Sequence, residues 1–523
     1  MNIITKFHLF LSVLLFIPTV CKASALPHPQ SPLVVTITVE GLTADYLQAI
    51  EDQLVEGGLK RFMAGGVTFS KLDYGPWLDG AAAATVVYTG ASPNVNGIPA
   101  AQVYDVTTKL PKSSLYDKTT MGNFTDETFS PTPIKVSTLS DELRIESNGA
   151  GRIYSIASTS HSAISAAGHA GNGAFWINDM TANWCSSTYY KEMPQAVKNR
   201  NYQNSLSLRL DSMEWTPLLN LSLYPGVTQE QMRKPFCVSF PKKDIQRVRR
   251  FITSPLANTE VTDLAIEILN ETQLGTTTNT DMLAVAYTIP TTLDRPQIID
   301  TYLRLDRDIA RLLNEIERVS GAGKATMMLA GTPTAQGSPA DDKKWNIPSG
   351  LYSVKRALSL LGIQLMAVHG NGEWILGYHN RHFFLNRTLI KDKGLNLQDF
   401  RREVADFLGR MAGICNVTTI DDIIASRFGD NPQAIKRNTS HTHAGDVIIE
   451  INPGWQIVDD GSGKASGTQR HTAADIPAFF LAPEMKRLQI DTPVDARALA
   501  PTITKLLLIR APNGASISPL NIR

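Results

Sequence analysis

A continuous apolar run, LVVTITV at Leu33–Val39, constrains the fold of this chain more than any other feature. Runs of this kind are typical of strands that are buried on both faces, in sheets that helices cover on both sides. Similar runs recur at Met282–Tyr287 and Val447–Ile451, with a strand-like run at Ala325–Ala330 and a weaker candidate at Ile476–Leu481. Together they predict the strands of a central, mostly parallel sheet.

Helical patterns lie between these runs. In Thr301–Val319 the apolar residues fall at helical spacing, and Gly321 is a suitable end for the helix. Strands that alternate with helices predict an α/β fold. The length of 523 residues allows one large domain with insertions, or two to three units.

Two segments interrupt the alternation. Residues 177–260 are rich in Asn, Ser, Tyr and Pro, which predicts an irregular surface insertion beside the site. Residues 349–440 combine helical patterns at Val354–Leu361 and Leu397–Met411 with short strands around Trp374–Phe384. This second segment predicts a small α+β cap.

The net charge of +1 gives no basic field, so nucleic acid is not an expected partner. Three cysteines follow residue 25, namely Cys185, Cys237 and Cys415, and they allow at most one disulfide. No segment after the N-terminus has the ~20 apolar residues that a membrane-spanning helix needs.

The N-terminus has the pattern of a secretory signal peptide. Lys6 precedes the apolar run Phe7–Val20, and Ala23-Ser24-Ala25 supplies a small-x-small cleavage pattern. We therefore expect residues 1–25 to be removed near Ala25 and the protein to be secreted or periplasmic. A lipid anchor on Cys21 is the less favoured alternative, because the residues before it suit a lipobox poorly.

Seven segments, in this order, resemble the alkaline phosphatase superfamily, in its type I phosphodiesterase/nucleotide pyrophosphatase group. They are VVTITVEGLTADYL, VVYTGASPNVNGI, SAAGHAGNGAFWIND, SSTYY, DTYLRLDRDIARLL, AGDVIIEINPGW and APTITKLLLIRAPNGASISPL. Secreted bacterial monoesterase-type alkaline phosphatases are the most similar branch. The resemblance implies a three-layer α/β sandwich with a central mostly parallel sheet, to which 349–440 adds the cap. It also implies hydrolysis of phosphate esters by a Thr or Ser between two zinc ions.

The positions at which the family carries this chemistry hold other residues here. At the nucleophile position stands Gly80, preceded by Asp79. The positions of the metal ligands are occupied by Glu40, Thr291, Arg295, Thr332, Pro333 and Asp475. Only Glu40 keeps the carboxylate chemistry of its position, whereas a proline cannot ligate through its side chain and an arginine repels a dication.

The family's phosphate-holding groups also differ in this sequence. Ala101, Thr159 and His161 stand at their positions. His169 matches a retained family position, and we expect it to have a structural hydrogen bond.

Two other motifs have plain interpretations. His441 and His443 could offer two imidazoles, but a solvated loop is favoured because no third ligand is apparent. SGAGKA at 320–325 lacks the first glycine of a phosphate loop and runs from helix to strand. The Asn-x-Ser/Thr sequons, for example at Asn123 and Asn386, matter only where the source organism glycosylates them.

The scaffold segments are kept while the chemical groups are replaced, which favours a catalytically inactive pseudo-phosphatase that binds an unknown protein or a phosphorylated ligand. No cofactor is expected under this hypothesis. The alternative is a phosphate- or sulfate-ester hydrolase with a rebuilt site, in which Glu40, Asp79, His471 and Asp475 hold one zinc or calcium ion. Binding of a phosphorylated ligand in the old cleft would require an inward-pointing cation such as Arg295.

Overall fold

The protein is described by a computed structural model. The described residues are 31–290, 293–334, 350–452, 455–458, 465–466 and 475–522. The predicted signal peptide with Cys21, and the candidate residues Thr291 and His471, lie outside these ranges.

Strands and helices alternate along most of the described residues. In chain order the strands are β1 (Leu33–Glu40), β2 (Val67–Phe69), β3 (Leu72–Asp73), β4 (Gln102–Asp105), β5 (Leu110–Ser113), β6 (Gly122–Asn123), β7 (Ile153–Ala157), β8 (Gly173–Ile177), β9 (Trp184–Ser187), β10 (Glu214–Trp215), β11 (Val238–Ser239), β12 (Asp281–Thr288), β13 (Thr326–Thr332), β14 (Gly350–Ser353), β15 (Ile375–His379), β16 (His382–Leu385), β17 (Ile414–Thr419), β18 (Val447–Ile451), β19 (Trp455–Val458), β20 (Ala465–Ser466), β21 (Ala478–Leu481), β22 (Leu488–Ile490) and β23 (Val494–Asp495). The helices are α1 (Ala44–Ala49), α2 (Leu59–Gly65), α3 (Gly80–Thr89), α4 (Pro93–Asn96), α5 (Leu139–Glu146), α6 (Ser160–Ala167), α7 (Gln195–Tyr202), α8 (Leu206–Arg209), α9 (Gln229–Arg233), α10 (Arg247–Ile252), α11 (Pro255–Thr272), α12 (Arg295–Ser320), α13 (Val354–His369), α14 (Arg387–Asp392), α15 (Leu397–Gly409), α16 (Ile420–Ile424), α17 (Pro432–Asn438) and α18 (Leu499–Leu506).

The central sheet has the strand order β22-β2-β21-β13-β1-β12-β7-β8-β9-β6 among the described residues. Its middle strands, from β13 to β8, are all parallel. Antiparallel pairs occur only towards the two edges, where β21 pairs with β13 and β2, and β9 pairs with β8 and β6. The predicted three-layer α/β fold with a mostly parallel sheet is confirmed.

The two faces of β1 explain the layers. Leu33, Val35, Ile37 and Val39 belong to a core cluster that also contains apolar residues of α11 and α12. Val34 belongs to a second cluster on the opposite face, with residues of α3 and α18. Because successive side chains of a strand point to opposite faces, the even-numbered residues of β1 face α3.

Helix α12 ends where the sequence predicts. Gly321 caps it with φ of 95°, a conformation that glycine adopts without steric cost. The segment Ser320–Ala325 is therefore a helix-to-strand turn leading to β13, as its sequence indicates.

The segment 177–260 contains short elements, including β9, α7, α8 and α10. It is more than a surface addition, because Trp184, Leu210, Phe240 and Phe251 are fully buried in the same core cluster as α12. Asp300 of α12 anchors it, accepting hydrogen bonds from the segment's side chains and backbone.

The cap is built on a four-stranded antiparallel sheet with the order β15-β16-β18-β17, covered by α13 and α15. Strand β18, Val447–Ile451, was expected in the central sheet, and that expectation is wrong. Val447 and Ile449 face the cap core, whereas Ile448 packs in a separate cluster with Ile423 and Ile435. The strand is buried on both faces although its sheet is antiparallel, so its apolar run does not distinguish the two sheets.

Within the described residues, none of the helices combines the length and apolar character needed to span a bilayer. Cys185 is buried, Cys237 and Cys415 are exposed, and all three are free thiols.

Candidate functional site

Glu40 lies at the carboxyl end of β1, where ligands bind in open α/β sheets. Its register partners are Thr288 of β12 and Thr332 of β13. As an even-numbered residue it faces α3, and Thr36 on the same face contacts the Tyr88 hydroxyl of that helix at 3.1 Å. The Glu40 carboxylate is thereby directed towards the N-terminus of α3.

Helix α3 begins at Gly80, with Asp79 as its N-cap. The Asp79 carboxylate accepts hydrogen bonds from the backbone N–H of Ala82 at 2.9 Å and of Ala101 at 2.7 Å. A side-chain oxygen at an N-cap satisfies N–H groups that have no partner within the helix. Asp79 therefore fixes both the start of α3 and the loop around Ala101.

Gly80 and Glu40 are in direct contact. A Cβ built on Gly80 would stand 2.6 Å from Oε1 and 2.7 Å from Oε2 of Glu40. Such distances are far below van der Waals contact, so the Glu40 carboxylate fills the space that a side chain at position 80 would need. Position 80 therefore lacks a hydroxyl, as predicted, and the Glu40 carboxylate fills the space that a hydroxyl-bearing side chain would need.

Burial raises the pKa of both carboxylates, and the charge of Asp79 adds to the rise at Glu40. Burial, and next the charge of Asp79, raise the pKa of Glu40 to about 7, and a hydrogen bond from the Thr334 side chain opposes the rise. Burial also raises the pKa of Asp79, opposed by the N–H groups of Ala82 and Ala101. Glu40 is therefore a carboxyl group that changes its charge near neutral pH.

Thr332 and Pro333 follow the geometry of β13. Thr332 is buried, and its carbonyl accepts a hydrogen bond from the N–H of Gly41 at 3.0 Å. Pro333 is half-buried and leads to Thr334. In this stretch Thr334, which the sequence analysis did not single out, is the side chain that reaches Glu40.

Arg295 does not point towards the carboxylates. The possibility, considered from the sequence, that it points into the old cleft is therefore wrong. Its side chain is exposed at the start of α12, and Nε donates to the carbonyl of Pro225 at 2.9 Å. The guanidinium lies 5.6 Å from the centre of the Tyr46 ring. The physical reason is the segment 177–260, which offers Arg295 a backbone acceptor on the outer side.

Asp475 is also engaged elsewhere. Its carboxylate forms an ion pair with Lys71 Nζ at 2.9 Å, and its carbonyl accepts from the N–H of Ala44 at 2.8 Å. Among the described residues no group of three or more His, Cys, Asp or Glu side chains is arranged to hold a metal ion. The structure thus brings Glu40 and Asp79 together but does not join Asp475 to them.

The fit to the two zinc ions of the resemblance is poor. A zinc site needs three or four imidazole, thiolate or carboxylate ligands. Around Glu40 the described side chains are a second carboxylate, Asp79, and the hydroxyl of Thr334. This donor set does not fit a dinuclear zinc centre, and a single-ion site that includes His471 stays a prediction.

The former phosphate-holding positions have structural contacts. His161 Nε2 lies 3.2 Å and 3.3 Å from the hydroxyls of Ser113 and Ser114, and burial lowers its pKa to about 4. It is therefore neutral at pH 7 and supplies no charge for a phosphate. Ala101 uses its N–H for Asp79, and Thr159 is the N-cap residue of α6.

The remaining histidines lie away from Glu40. His169 Nδ1 is 2.9 Å from the Asp141 carboxylate and Nε2 is 2.9 Å from the carbonyl of Ile134, so its expected structural hydrogen bond is confirmed. His441 is exposed in the turn before β18, in agreement with the expected solvated loop. His443 is half-buried and lines a cleft between the cap and the central domain.

The sequence analysis missed this cleft. The central domain contributes Trp77 and Tyr104, and the cap contributes Arg381, His382 and Phe384. One signal was available in the sequence, the dipeptide Asn380-Arg381 between the two short strands predicted at Trp374–Phe384. It marks a tight hairpin that could carry a functional side chain.

Comparisons with known proteins agree with this architecture. A family model for type I phosphodiesterase / nucleotide pyrophosphatase matches residues 34–475. Alkaline phosphatase PafA from Elizabethkingia meningoseptica is 26% identical over 531 residues, which cover 95% of both chains. Alkaline phosphatase PhoV from Synechococcus elongatus is 27% identical over 514 residues, which cover 92% of this chain and 91% of PhoV.

Solved structures show the same similarity. The crystal structure of wild-type PafA has a TM-score of 0.83 at 25% identity, over 95% of this chain and 99% of PafA. Murine ectonucleotide pyrophosphatase/phosphodiesterase 5 shares the fold, with a TM-score of 0.51 at 12% identity over 91% of this chain and 95% of that chain.

Proposed function

We propose a binding function from the premise that this chain belongs to the type I phosphodiesterase / nucleotide pyrophosphatase family, whose model matches residues 34–475. In this proposal it is an exported, non-catalytic member of the alkaline phosphatase superfamily that binds a phosphorylated ligand or a partner protein. The observation that carries the proposal is the contact between Gly80 and Glu40. The position that would supply the nucleophile has no side chain, and a carboxylate occupies the space beside it.

Electrostatics support the non-catalytic part of the proposal. A phosphate ester carries negative charge, and Glu40 and Asp79 present carboxyl groups where it would have to approach the start of α3. Glu40, with a pKa of about 7, is ionised above neutral pH and then repels an anion. Arg295, the cation considered from the sequence, is engaged with the carbonyl of Pro225.

Export rests on the sequence pattern at residues 1–25, whose removal would leave residues 26–523 as the mature protein. The experiment that tests export is the N-terminal sequence of the protein recovered from its native cells, separated into periplasmic, membrane and medium fractions. An N-terminus near residue 26 in the periplasm or medium is expected. A retained Met1 in the cytoplasm would contradict export.

The experiment that tests the loss of catalysis is the metal content of the mature protein after dialysis, with phosphomonoester and phosphodiester hydrolysis measured on the same sample. The alkaline phosphatase PafA, purified in parallel, is the positive control for phosphomonoester hydrolysis. We expect near-zero bound zinc and no turnover above buffer. Stoichiometric metal with hydrolysis that Glu40→Ala removes would overturn the proposal.

A second candidate function has one observation in its favour. With a pKa of about 7 beside Asp79, Glu40 has the property of a general acid or base at neutral pH. The alternative is thus a phosphate- or sulfate-ester hydrolase with a rebuilt site that includes Glu40, Asp79, His471 and Asp475.

The two candidates predict different results for Glu40→Gln. A hydrolase would lose about 10²–10⁴-fold in kcat, the usual contribution of a general acid or base. A binding protein would show no turnover in either form. Arg356→Gln, on the exposed side of the cap helix α13, is a matched control that changes one charge away from the site.

A further inference from the structure

The cleft between the cap and the central domain contains a buried cation, Arg381, one of whose guanidinium nitrogens has no hydrogen-bond partner among the described residues. Arg381 is 9% exposed, and its Nη1 is buried without a hydrogen-bond partner among the described residues. A buried charge without a partner is costly, and proteins retain one where a ligand or a pairing group completes it. The guanidinium carbon lies 5.8 Å from the centre of the Trp77 ring, which supports one face of it.

The backbone at Arg381 is also held in an unfavourable conformation. Asn380 and Arg381 form the two-residue turn between β15 and β16, with φ of 46° and 76°. Asn-Gly is the usual sequence of such a turn, because positive φ favours glycine at its second position. An arginine there costs on the order of 1 kcal/mol, and strain of this kind is concentrated at functional sites. The turn is built to place this side chain in the cleft.

Basic groups also lie near the cleft, one of which, Lys112, is paired with Asp105 at 2.7 Å. Burial lowers the pKa of His443, and so do the charges of Lys135 and Lys112, which places both lysines near the cleft. His382 Nδ1 accepts from the N–H of Gly445 at 3.2 Å, which leaves its Nε2–H as a donor.

Among the described residues, Glu450 is the carboxylate whose charge acts on Arg381. It acts on Arg381 from beyond ion-pair distance, while its Oε1 accepts from Trp77 Nε1 at 2.9 Å and its Oε2 from Asn416 at 3.1 Å. Burial without a closer partner lowers the pKa of Arg381 to about 10. Arg381 therefore stays a cation at neutral pH, and Glu450 does not neutralise it by direct contact.

The cleft has the size and the walls for a small anion. Its volume is about 60 Å³, where one water molecule needs roughly 10–15 Å³. That leaves room for about five heavy atoms, the number in a phosphate or sulfate group. Tyr104 and Phe384 form a stacked wall, with ring centres 4.6 Å apart, and Tyr104 is held by a 2.7 Å hydrogen bond to the carbonyl of Leu376.

We propose that this cleft is an oxyanion-binding site in which Arg381 of the cap holds a phosphate or sulfate group against the central domain. Neither Glu40 nor Asp79 lines this cleft, and the loop Pro99–Tyr104, which does, is bound to Asp79 through the Ala101 N–H. The inference deepens the proposed binding function and rests on it, because it gives the chemical class of the ligand. Phosphate and sulfate share the tetrahedral oxyanion that a guanidinium recognises through paired hydrogen bonds.

The test is thermal unfolding and calorimetric titration of the mature protein with inorganic phosphate, sodium sulfate and phenyl phosphate, each against sodium chloride of equal ionic strength. We expect at least one oxyanion to raise Tm and to bind with a measurable Kd, whereas chloride does neither. Phenyl phosphate binds most tightly if Tyr104 and Phe384 contact an organic group. No response beyond chloride for any of the three would overturn the proposal.

Two variants of the same turn locate the site. Arg381→Gly removes the cation and also relieves the positive φ, so we expect the hairpin to fold and oxyanion binding to weaken by about tenfold or more. Asn380→Gly relieves the strain at the neighbouring position and keeps the cation, so it should bind like the wild type. Unchanged binding by Arg381→Gly would overturn the assignment.

Arg381→Lys covers the case in which Arg381→Gly does not fold. Lysine keeps the positive charge but lacks the paired N–H donors of the guanidinium, so we expect weaker oxyanion binding. Without ligand, the Tm of this variant should be close to that of the wild type. Oxyanion binding equal to that of the wild type would overturn the role of the guanidinium. Turnover is measured separately in every sample, so hydrolysis would contradict the non-catalytic function without affecting the test of anion binding.

Discussion

A Cβ on Gly80 would stand 2.6 Å from Oε1 of Glu40. This contact couples the end of β1 to the start of α3, and it links the two positions at which the family's chemistry is replaced. A longer carboxylate at position 40 is compatible with a glycine at position 80, whereas Glu40 combined with a side chain at position 80 would compete for the same space.

The first prediction concerns this coupling. Replacing a helical glycine by alanine normally stabilises a protein by about 0.5–1 kcal/mol. Gly80→Ala should instead destabilise by about 1–3 kcal/mol in urea unfolding, because the new methyl group overlaps the Glu40 carboxylate. In the Glu40→Ala background, Gly80→Ala should destabilise much less. The difference between the two backgrounds, which is the coupling energy of positions 40 and 80, should be at least ~0.5 kcal/mol.

Gly362→Ala is the matched control. Gly362 lies in helix α13 and has no heavy atom within 4 Å of an added Cβ, so alanine should stabilise there. Equal effects at positions 80 and 362 would mean that Glu40 and Gly80 are not coupled.

The second prediction concerns pH. The folded-state pKa of Glu40 is about 7, above the ordinary value of 4.5. A raised pKa means that the folded state binds the proton more tightly, so this contribution to stability is fully present below pH 4.5 and is lost as pH rises through 7. Glu40→Gln should therefore be more stable than the wild type at pH 8, on the order of 1–3 kcal/mol, and lack this part of the pH dependence.

The measurement is the free energy of unfolding of both proteins between pH 4 and pH 8.5, in the presence of a chelator. Only the difference between them is interpreted, because other groups titrate in both. A difference that does not change with pH would show that Glu40 has an ordinary pKa.

Much of the fold follows from local patterns. β1 and the end of α12 at Gly321 depend on side-chain period and on one backbone conformation, and both are visible in the sequence. Strand β18 has the same pattern as β1 but belongs to the cap, because Ile448 packs towards Ile423 and Ile435 on its outer face. A run that is buried on both faces does not tell which sheet it joins.

The site was less predictable because its contacts join distant segments. Arg295 turns outward to the carbonyl of Pro225, 70 residues earlier in the chain. Arg381 of the cap contacts Trp77 of the central domain. The side chains of Asp79 and Glu40 were recognised as candidates from the family pattern. Their contact through Gly80 depends on how α3 is positioned over β1, which no local pattern specifies.

The third prediction concerns Asp79. Asp79→Ala removes the N-cap of α3 and the acceptor for the N–H of Ala101, so we expect a loss of about 1–2 kcal/mol in urea unfolding. The same substitution removes a neighbouring charge, so the pKa of Glu40 should fall towards its ordinary value. Asn396→Ala is the control for the loss of a helix N-cap by itself. It removes the N-cap residue of α15, away from Glu40, and should leave the titration of Glu40 unchanged. A Glu40 titration that is unaffected in Asp79→Ala would contradict the electrostatic coupling.

The fourth prediction concerns Asp300, which holds the segment 177–260 on α12. Its buried carboxylate accepts from Trp215 Nε1 at 2.6 Å, the N–H of Leu218 at 2.6 Å, the Tyr224 hydroxyl at 2.5 Å and Arg304 Nε at 2.7 Å. Asp300→Ala leaves these donors without an acceptor, and we expect a loss of about 3–5 kcal/mol with faster proteolytic cleavage within residues 214–240.

Glu315→Ala tests whether any acid on α12 has this effect. Glu315 is half-buried, pairs with Arg318 and accepts a hydrogen bond from Asn270 at 2.6 Å, so its removal should cost about 1 kcal/mol and leave the proteolysis pattern unchanged. If Asp300→Ala unfolds no more easily than Glu315→Ala, the segment is held by its apolar residues, such as Phe240 and Phe251, and the three hydrogen bonds that it donates to Asp300 add little. A large difference would mean that one carboxylate holds in place the segment whose Pro225 carbonyl turns Arg295 away from Glu40.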